Sequence, residues 1–137
     1  MRKQGRYFII KYRKIKNLMS EKECVFCDIV NGKVKTEKIY ESENFIAFYD
    51  INPLGGGHTL IIPKKHFSSL MDLDKETSEK YLLAVRETAK IIIKKYGAYG
   101  FNLVVNNGKA AGQVIGHVHF HLLPRKEGDN KRGIFIG

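Results

Sequence analysis

The sequence predicts an α+β domain with a five-stranded antiparallel sheet, one long helix and one short helix. Five short segments rich in β-branched and aromatic residues are separated by turn residues, and one long segment repeats apolar residues at helical spacing. Of the 137 residues 43% are hydrophobic, which is enough to bury the core of one domain without disulfides. Runs of strands on either side of a single long helix are typical of this fold class.

The N-terminal half of the predicted domain contains the short helix and three strands. The short helix is expected over Cys24–Gly32 and ends at its glycine. Lys38–Glu41 and Phe45–Asp50 are predicted strands separated by a polar turn. His58–Pro63, which follows a loop with three consecutive glycines, is a third strand that ends at its proline.

The long helix and two further strands form the C-terminal half. The helix is predicted over Asp74–Tyr96, with its aspartate as the N-cap, and Gly97 supplies the left-handed residue that ends it. Phe101–Asn106 and His117–Leu123 are the last two strands, and a loop over 107–116 joins them. Helical spacing places these apolar residues on the inner face of the helix: Leu82, Val85, Ala89, Ile92 and Tyr96.

The positive charge of the chain is concentrated at its N-terminus. The formal net charge is +10, and residues 1–20 hold seven Lys or Arg and no acidic residue. The other 117 residues hold the remaining 17 basic and 14 acidic side chains, a net charge of +3. We therefore predict a basic extension over 1–20 and a domain over 21–137. Basic extensions can bind nucleic acid or anionic membranes, but a solvated tail, or a working start at Met19, explains the segment more simply.

The sequence gives no signal for export or for membrane insertion. Its apolar runs are far shorter than the roughly 18 residues that a membrane span needs. Tyr7–Ile10 is also too short for the apolar core of a secretory signal. We therefore expect a cytoplasmic protein with no membrane partner, and two cysteines in that compartment do not predict a disulfide scaffold.

Three of the five histidines alternate with apolar residues in the last predicted strand. His117, His119 and His121 then share one face, whereas an ordinary polar face would use Lys, Thr or Glu. Alternate residues are about 6.7 Å apart along a strand, so the outer two histidines cannot easily share one ion. An imidazole can bind a metal, act as a nucleophile or donate a proton to an anion. We expect the three histidines to have different roles, beside a glycine-rich loop that suits a phosphate substrate.

Cys24 and Cys27 form a C-x-x-C motif at the start of the short helix. Such a pair is typical of a redox site, of two small core residues, or of a zinc site. Zinc requires two further ligands, and the candidates are His66 and one histidine of the triad. The motif by itself leaves these alternatives open.

Together these segments resemble the histidine triad (HIT) family. The run His117–Leu123 matches the family signature, in which three histidines alternate with apolar residues. Other motifs of the family occur in the same order and at approximately the same spacing, namely Cys24–Ile29, Phe45–Asp50, Gly57–His66 and Asn106–Gln113. The resemblance covers residues 24–125. It implies a HIT-like fold and a homodimer.

The resemblance also implies an enzyme that transfers a nucleotidyl group to water. His119 would attack the α-phosphorus of a purine nucleotide substrate, and water would then release AMP from a nucleotidyl-histidine intermediate. The substrate would be a nucleoside phosphoramidate, an adenylate or a dinucleoside polyphosphate. His121, His58 and Gln113 are expected to assist catalysis. The positions that match nucleotide contacts of the family are Phe26 and Ile29 at the base, Asp50 at the ribose, and Asn106, Gln113, His58, His119 and His121 at the phosphates.

Family members that carry the C-x-x-C motif often bind zinc. For this chain the resemblance implies one structural zinc ion, with a single histidine of the triad among its ligands. That assignment resolves the difficulty of placing several histidines of the triad on one ion. The implied ligands are Cys24, Cys27, His66 and His117.

The chain departs from the phosphoramidase branch of the family near the leaving group. It has no tryptophan, and Val114 stands where that branch has serine. Because of these changes, the resemblance does not identify the leaving group of the substrate. A nucleotide-binding regulatory module with incidental hydrolysis is the alternative function. A hydrolase that acts on nucleic-acid ends is less favoured, because the domain is nearly neutral and carries no recognised DNA-binding motif.

Overall fold

A computed structural model describes residues 23–129 of the chain. The predicted basic extension over 1–20 and the last eight residues lie outside this range. In chain order the helices and strands are α1 (Val25–Val30), β1 (Lys38–Glu41), β2 (Phe45–Tyr49), β3 (Thr59–Pro63), α2 (Lys75–Tyr96), β4 (Gly100–Val105) and β5 (Phe120–Arg125). Most boundaries agree with the sequence prediction to within one or two residues.

The strands form one antiparallel sheet in the order β1-β2-β3-β5-β4. One row of partners crosses all five strands. Tyr40 pairs with Ala47, Ala47 with Ile61, Ile61 with Phe120, and Phe120 with Val105. The α+β class, the five-stranded antiparallel sheet and the pair of one long and one short helix are confirmed. Within residues 23–129, none of the helices is both long and apolar enough to cross a membrane.

The two helices cover opposite faces of the sheet. Alternate residues of β2 point to different clusters: Phe45 and Ala47 pack on the α2 side, and Ile46 and Phe48 on the α1 side. Both faces of β2 and β3 are therefore buried, which explains why these strands read as continuous apolar runs. The triad lies on the face that α1 covers, because His121 pairs with Leu60 of the α1-side cluster.

Helix α2 begins and ends at the predicted residues. The Asp74 carboxylate accepts a hydrogen bond from the Thr77 amide at 2.8 Å, and Gly97 adopts a left-handed conformation with φ of 60°. The prediction that Leu82 lies on the inner face is wrong, because its side chain is 64% exposed. Tyr81 takes that place and donates its hydroxyl hydrogen to the Ile61 carbonyl at 2.6 Å. Tyr81 can be buried because its hydroxyl has a hydrogen-bond partner, so the inner face of the helix includes Tyr81 and not Leu82.

The prediction of a strand over His117–Leu123 is wrong at both ends, since β5 covers Phe120–Arg125. Before Phe120 the chain leaves the ladder, and the Val118 amide donates to the Phe67 carbonyl at 2.8 Å. The alternation persists through this irregular segment. Val118, Phe120 and Leu122 are buried in the α2-side cluster, as the period of two predicts.

The glycine-rich loop before β3 packs closely against the end of α2. Gly57 has a φ of 84°, and a Cβ atom there would lie 2.8 Å from Pro124 Cγ and 3.0 Å from the Tyr96 ring. Only glycine meets both requirements, because other residues rarely adopt this φ and the space is filled. The loop that precedes His58 is thereby fixed on the body of the domain.

Candidate active site and metal centre

Two groups of polar side chains lie side by side on the α1 face of the sheet. The Phe26 ring of α1 contacts both, with its centroid 5.7 Å from the His117 ring and 5.2 Å from the His119 ring. The His119 ring is in turn 4.9 Å from the His121 ring. The triad is thus divided, with His117 in one group and His119 and His121 in the other.

The first group contains Cys24, Cys27, His66 and His117, whose ligand atoms lie within 4.8 Å of one another. Cys24 Sγ is 3.4 Å and Cys27 Sγ is 3.6 Å from His117 Nδ1, and Cys27 Sγ is 3.3 Å from His66 Nδ1. Sulfur and nitrogen ligands of a tetrahedral zinc ion would be about 3.5 Å apart. The donor set and its spacing therefore fit zinc.

The orientation of His117 also suits a metal ligand. Its Nε2–H donates to the Pro63 carbonyl at 2.8 Å, which leaves the Nδ1 lone pair directed at the two sulfur atoms. Burial lowers the pKa of His117 to about 4, so the ring stays neutral. Burial also raises the pKa of the Cys24 thiol. A divalent cation would reverse that effect, because its charge favours the thiolate.

His119 is oriented as a nucleophile would have to be. Its Nδ1–H donates to the His117 carbonyl at 2.8 Å, so the Nε2 atom carries the lone pair. Desolvation by burial lowers the pKa of His119, which keeps the ring neutral near pH 7. A neutral imidazole with one nitrogen pinned and the other unprotonated can attack an electrophilic phosphorus atom.

His58 and His121 form a hydrogen-bonded pair next to Asp50. His58 Nε2 lies 3.0 Å from His121 Nδ1, and the Leu54 amide donates to His58 Nδ1 at 3.0 Å. An Asp50 carboxylate oxygen is 3.6 Å from His58 Nε2. Burial raises the pKa of Asp50 to about 6, and burial lowers that of His121 to about 2. Asp50 also accepts a hydrogen bond from the Asn52 amide at 2.9 Å.

Asp50, His58 and His121 also bring their ligand atoms within 4.8 Å of one another. The hydrogen bonds nevertheless disfavour a metal at this position. A metal on His58 Nε2 would require the ring proton on Nδ1, where the Leu54 amide already points its own hydrogen. This group is therefore arranged for hydrogen bonding.

The side-chain amide of Gln113, in the loop that precedes the triad, forms hydrogen bonds through both its nitrogen and its oxygen. Its Nε2 donates to the Ser68 carbonyl at 2.6 Å and to the Ile115 carbonyl at 2.9 Å. Its Oε1 accepts from the Gly108 amide at 2.8 Å. Gln113 thus ties the loop to the segment after β3, and the phosphate contact expected for it stays a prediction.

Two of the remaining predicted nucleotide contacts lie on the same face, and the third follows β4. Phe26 and Ile29 are buried on α1, where they pack with the apolar side chains of β2 and β3. Asn106 is half-buried directly after β4. The groups that sequence reasoning missed are the backbone carbonyls of Pro63 and His117 and the amide of Leu54, because no side chain identifies them.

Comparisons with known proteins identify the family of this chain. The family profile described as the HIT domain matches residues 31–128. Adenylylsulfatase HINT3 of Arabidopsis thaliana is 41% identical over 116 residues, which cover 85% of this chain and 59% of that protein. Adenosine 5'-monophosphoramidase HNT1 of Saccharomyces cerevisiae is 39% identical over 114 residues, which cover 83% of this chain and 68% of that protein.

A solved structure with the same fold contains zinc. The Zn-bound histidine triad family protein from Mycobacterium smegmatis is 40% identical and superposes with a TM-score of 0.72. The alignment covers 81% of this chain and 81% of that one. The fold of this chain thus has a counterpart in a histidine triad family protein that was solved with zinc bound.

Proposed function

Because the chain belongs to the HIT family, we propose that it is a nucleotidyl hydrolase or transferase that releases AMP from an adenylyl compound. The observation that carries this proposal is the state of His119, whose Nδ1–H is held by a backbone carbonyl while its ring stays neutral. The two relatives named above support an adenylyl substrate, since both of their names refer to an adenosine 5'-phosphoryl compound.

In the proposed reaction each histidine of the second group has one role. His119 Nε2 attacks the α-phosphorus, a P–N bond forms, and the bond to the leaving group breaks with its electron pair on the leaving group. The leaving group takes up a proton from solvent. A water molecule then attacks the phosphorus, gives up a proton, and displaces the histidine to yield AMP. His121 donates a hydrogen bond to a phosphoryl oxygen, whose negative charge is greatest in the transition state.

We propose one structural zinc ion per chain, held by Cys24, Cys27, His66 and His117. When bound, zinc would supply a fixed four-coordinate link between α1, the segment after β3 and the start of the triad. The His117 carbonyl accepts the hydrogen bond that orients His119. Within the proposal, holding His117 therefore also holds the nucleophile.

A panel of adenylyl compounds tests the proposed activity. Adenosine phosphoramidate, adenylyl sulfate, an aminoacyl adenylate, a dinucleoside polyphosphate and nucleotidylated DNA would each be incubated with the full chain, and AMP release measured. We expect release from at least one of the small compounds. Tight AMP binding without release from any compound would favour a regulatory module. Release from the DNA alone would favour the nucleic-acid-linked hydrolase.

We also propose a cytoplasmic homodimer with no nucleic-acid or membrane partner. Among residues 23–129, strand β4 lies at an edge of the sheet, and Phe101 on it is exposed. Leu82 and Leu83 are exposed on the outer face of α2. Apolar side chains at an open edge and on a helix support association with a second copy.

Nucleotide affinity is expected to weaken as the pH falls below about 6. Burial raises the pKa of Asp50 to about 6, so the carboxylate that would accept from the ribose hydroxyls is protonated at lower pH. We expect the Kd for AMP to rise about tenfold between pH 7.5 and pH 5.0. The control is Asp50→Asn, which has no carboxyl group to titrate at this position. Protonation of AMP itself changes the Kd of both proteins equally, so the difference between their pH profiles reports on Asp50. Identical pH profiles for the two would contradict this role of Asp50.

The basic extension is expected to be dispensable for chemistry. The residues assigned to the site all lie at or beyond Cys24, and residues 1–20 hold no histidine, cysteine or carboxylate side chain. A truncated chain that begins at Met19 should therefore keep the kcat of the full chain toward AMP-based substrates within about twofold. A large loss of kcat with an unchanged melting temperature would show that the extension completes the active site.

A further inference from the structure

We infer that His58 is a positioning residue, which fixes His121 as a hydrogen-bond donor through a chain of hydrogen bonds that starts at the Leu54 amide. The order of these hydrogen bonds follows from geometry alone. Their effect on catalysis rests on the proposed function. The inference gives His58 a different role from the phosphate contact that the family resemblance implies.

The direction of the chain is set by its first link. The Leu54 amide lies 3.0 Å from His58 Nδ1, and a backbone amide can only donate. His58 Nδ1 is therefore an acceptor, and the proton of the neutral ring is on Nε2. If both nitrogens of His58 carried a proton, the Nδ1–H would face the N–H of the Leu54 amide. The amide therefore also disfavours the charged ring.

The second link is the hydrogen bond between His58 and His121, and it fixes the tautomer of His121. His58 Nε2–H is 3.0 Å from His121 Nδ1, so it donates and His121 Nδ1 accepts. The proton of His121 is then on Nε2. A second proton, on His121 Nδ1, would face the His58 Nε2–H, so the same contact disfavours the charged ring. Burial lowers the pKa of His121 in the same direction.

The loop that contains Leu54 is held in place by its own hydrogen bonds. The His58 amide donates to the Gly55 carbonyl at 3.2 Å, and the Asp50 amide donates to the His58 carbonyl at 3.0 Å. Gly57 packs on Pro124 and Tyr96 as described above. The Leu54 amide is thus a fixed donor.

The tautomer of His121 matters because phosphoryl oxygens are acceptors. With the proton on Nε2, His121 can donate to a developing negative charge. With the proton on Nδ1, the Nε2 lone pair would face that charge and repel it. Both ring nitrogens of His58 are engaged with Leu54 and His121, so His58 acts on the substrate through His121.

The tautomers can be measured directly by NMR. In protein labelled with ¹⁵N at histidine, two-bond ¹H–¹⁵N couplings show which ring nitrogen carries the proton. We expect Nε2–H for His58 and His121 and Nδ1–H for His119. The same spectrum therefore shows both tautomers, and His119 serves as the internal comparison. Single substitutions of each histidine assign the signals. A His121 ring protonated at Nδ1 in the wild-type protein would overturn the inference, whatever substrate the enzyme uses.

Two substitutions of His58 test the effect on catalysis. The side-chain amide nitrogen of His58→Gln reaches the position of the Nε2 donor, whereas that of His58→Asn stops near the position of Nδ1. We expect His58→Asn to lower kcat about 100-fold, because His121 is no longer fixed as a donor to the transition state. The Kd for AMP should stay within about threefold of the wild-type value. His58→Gln should keep at least about tenfold more kcat than His58→Asn and retain the Nε2–H tautomer of His121.

The outcomes separate a positioning role from direct contact with substrate. Equal kcat values for the two variants, or a change confined to KM, would overturn the inference. If either variant fails to fold, the wild-type tautomer decides the question. An Nε2–H tautomer in a protein that hydrolyses no adenylyl compound would keep the hydrogen-bond order and refute only the proposed function.

Discussion

Replacing His119 with alanine is expected to abolish turnover, with a fall in kcat of about 10³-fold or more, while AMP still binds. The substitution removes the atom that forms the covalent intermediate, and a nucleophile contributes far more to the transition state than to ground-state binding. Single-turnover measurement of AMP release and calorimetric measurement of the Kd for AMP test the two parts separately.

A matched control keeps the fold under observation. His119→Asn places an amide near the position of Nδ1, so it can still donate to the His117 carbonyl, yet it provides no nucleophile. We expect it to be as inactive as His119→Ala and to melt closer to the wild-type temperature. Activity within about tenfold of wild type in either variant would refute the assignment of His119.

Protein purified without added zinc is expected to contain one zinc ion per chain, and Cys27→Ser is expected to contain almost none. The loss should lower the melting temperature by about 10 °C. A free zinc concentration 100-fold above Kd stabilises the native state by about 2.7 kcal/mol, and each kcal/mol corresponds to about 4 °C in a domain of this size. Elemental analysis and thermal unfolding measure the two effects.

His121→Asn is the control for zinc binding, because His121 belongs to the triad but lies outside the proposed ligand set. It should retain the metal and lose activity. Equal zinc content in Cys27→Ser and wild type would show that the ligand assignment is wrong. Activity that disappears on chelation, with the melting temperature unchanged, would instead indicate a catalytic metal bound by His119.

Local sequence patterns determined the elements of the fold and the face of the triad. The capping carboxylate of Asp74 and the left-handed Gly97 bound α2 as predicted. The alternation of Val118 and Phe120 with the histidines predicts the inward face even where β5 has not yet begun. These features depend on residues close in the chain, because caps and strand periodicity are set by backbone geometry over a few residues.

The donor and acceptor roles of the histidines were decided by the tertiary structure alone. The carbonyl of Pro63 orients His117, and the amide of Leu54 orients His58. His58 in turn contacts His121, which is 63 residues away in the sequence. Backbone groups are the same at every residue, so no pattern of side chains reveals which of them will face an imidazole. The raised pKa of Asp50 likewise comes from burial by the whole domain. Sequence motifs therefore predicted which histidines are reactive, and packing over long chain separations set their protonation and orientation.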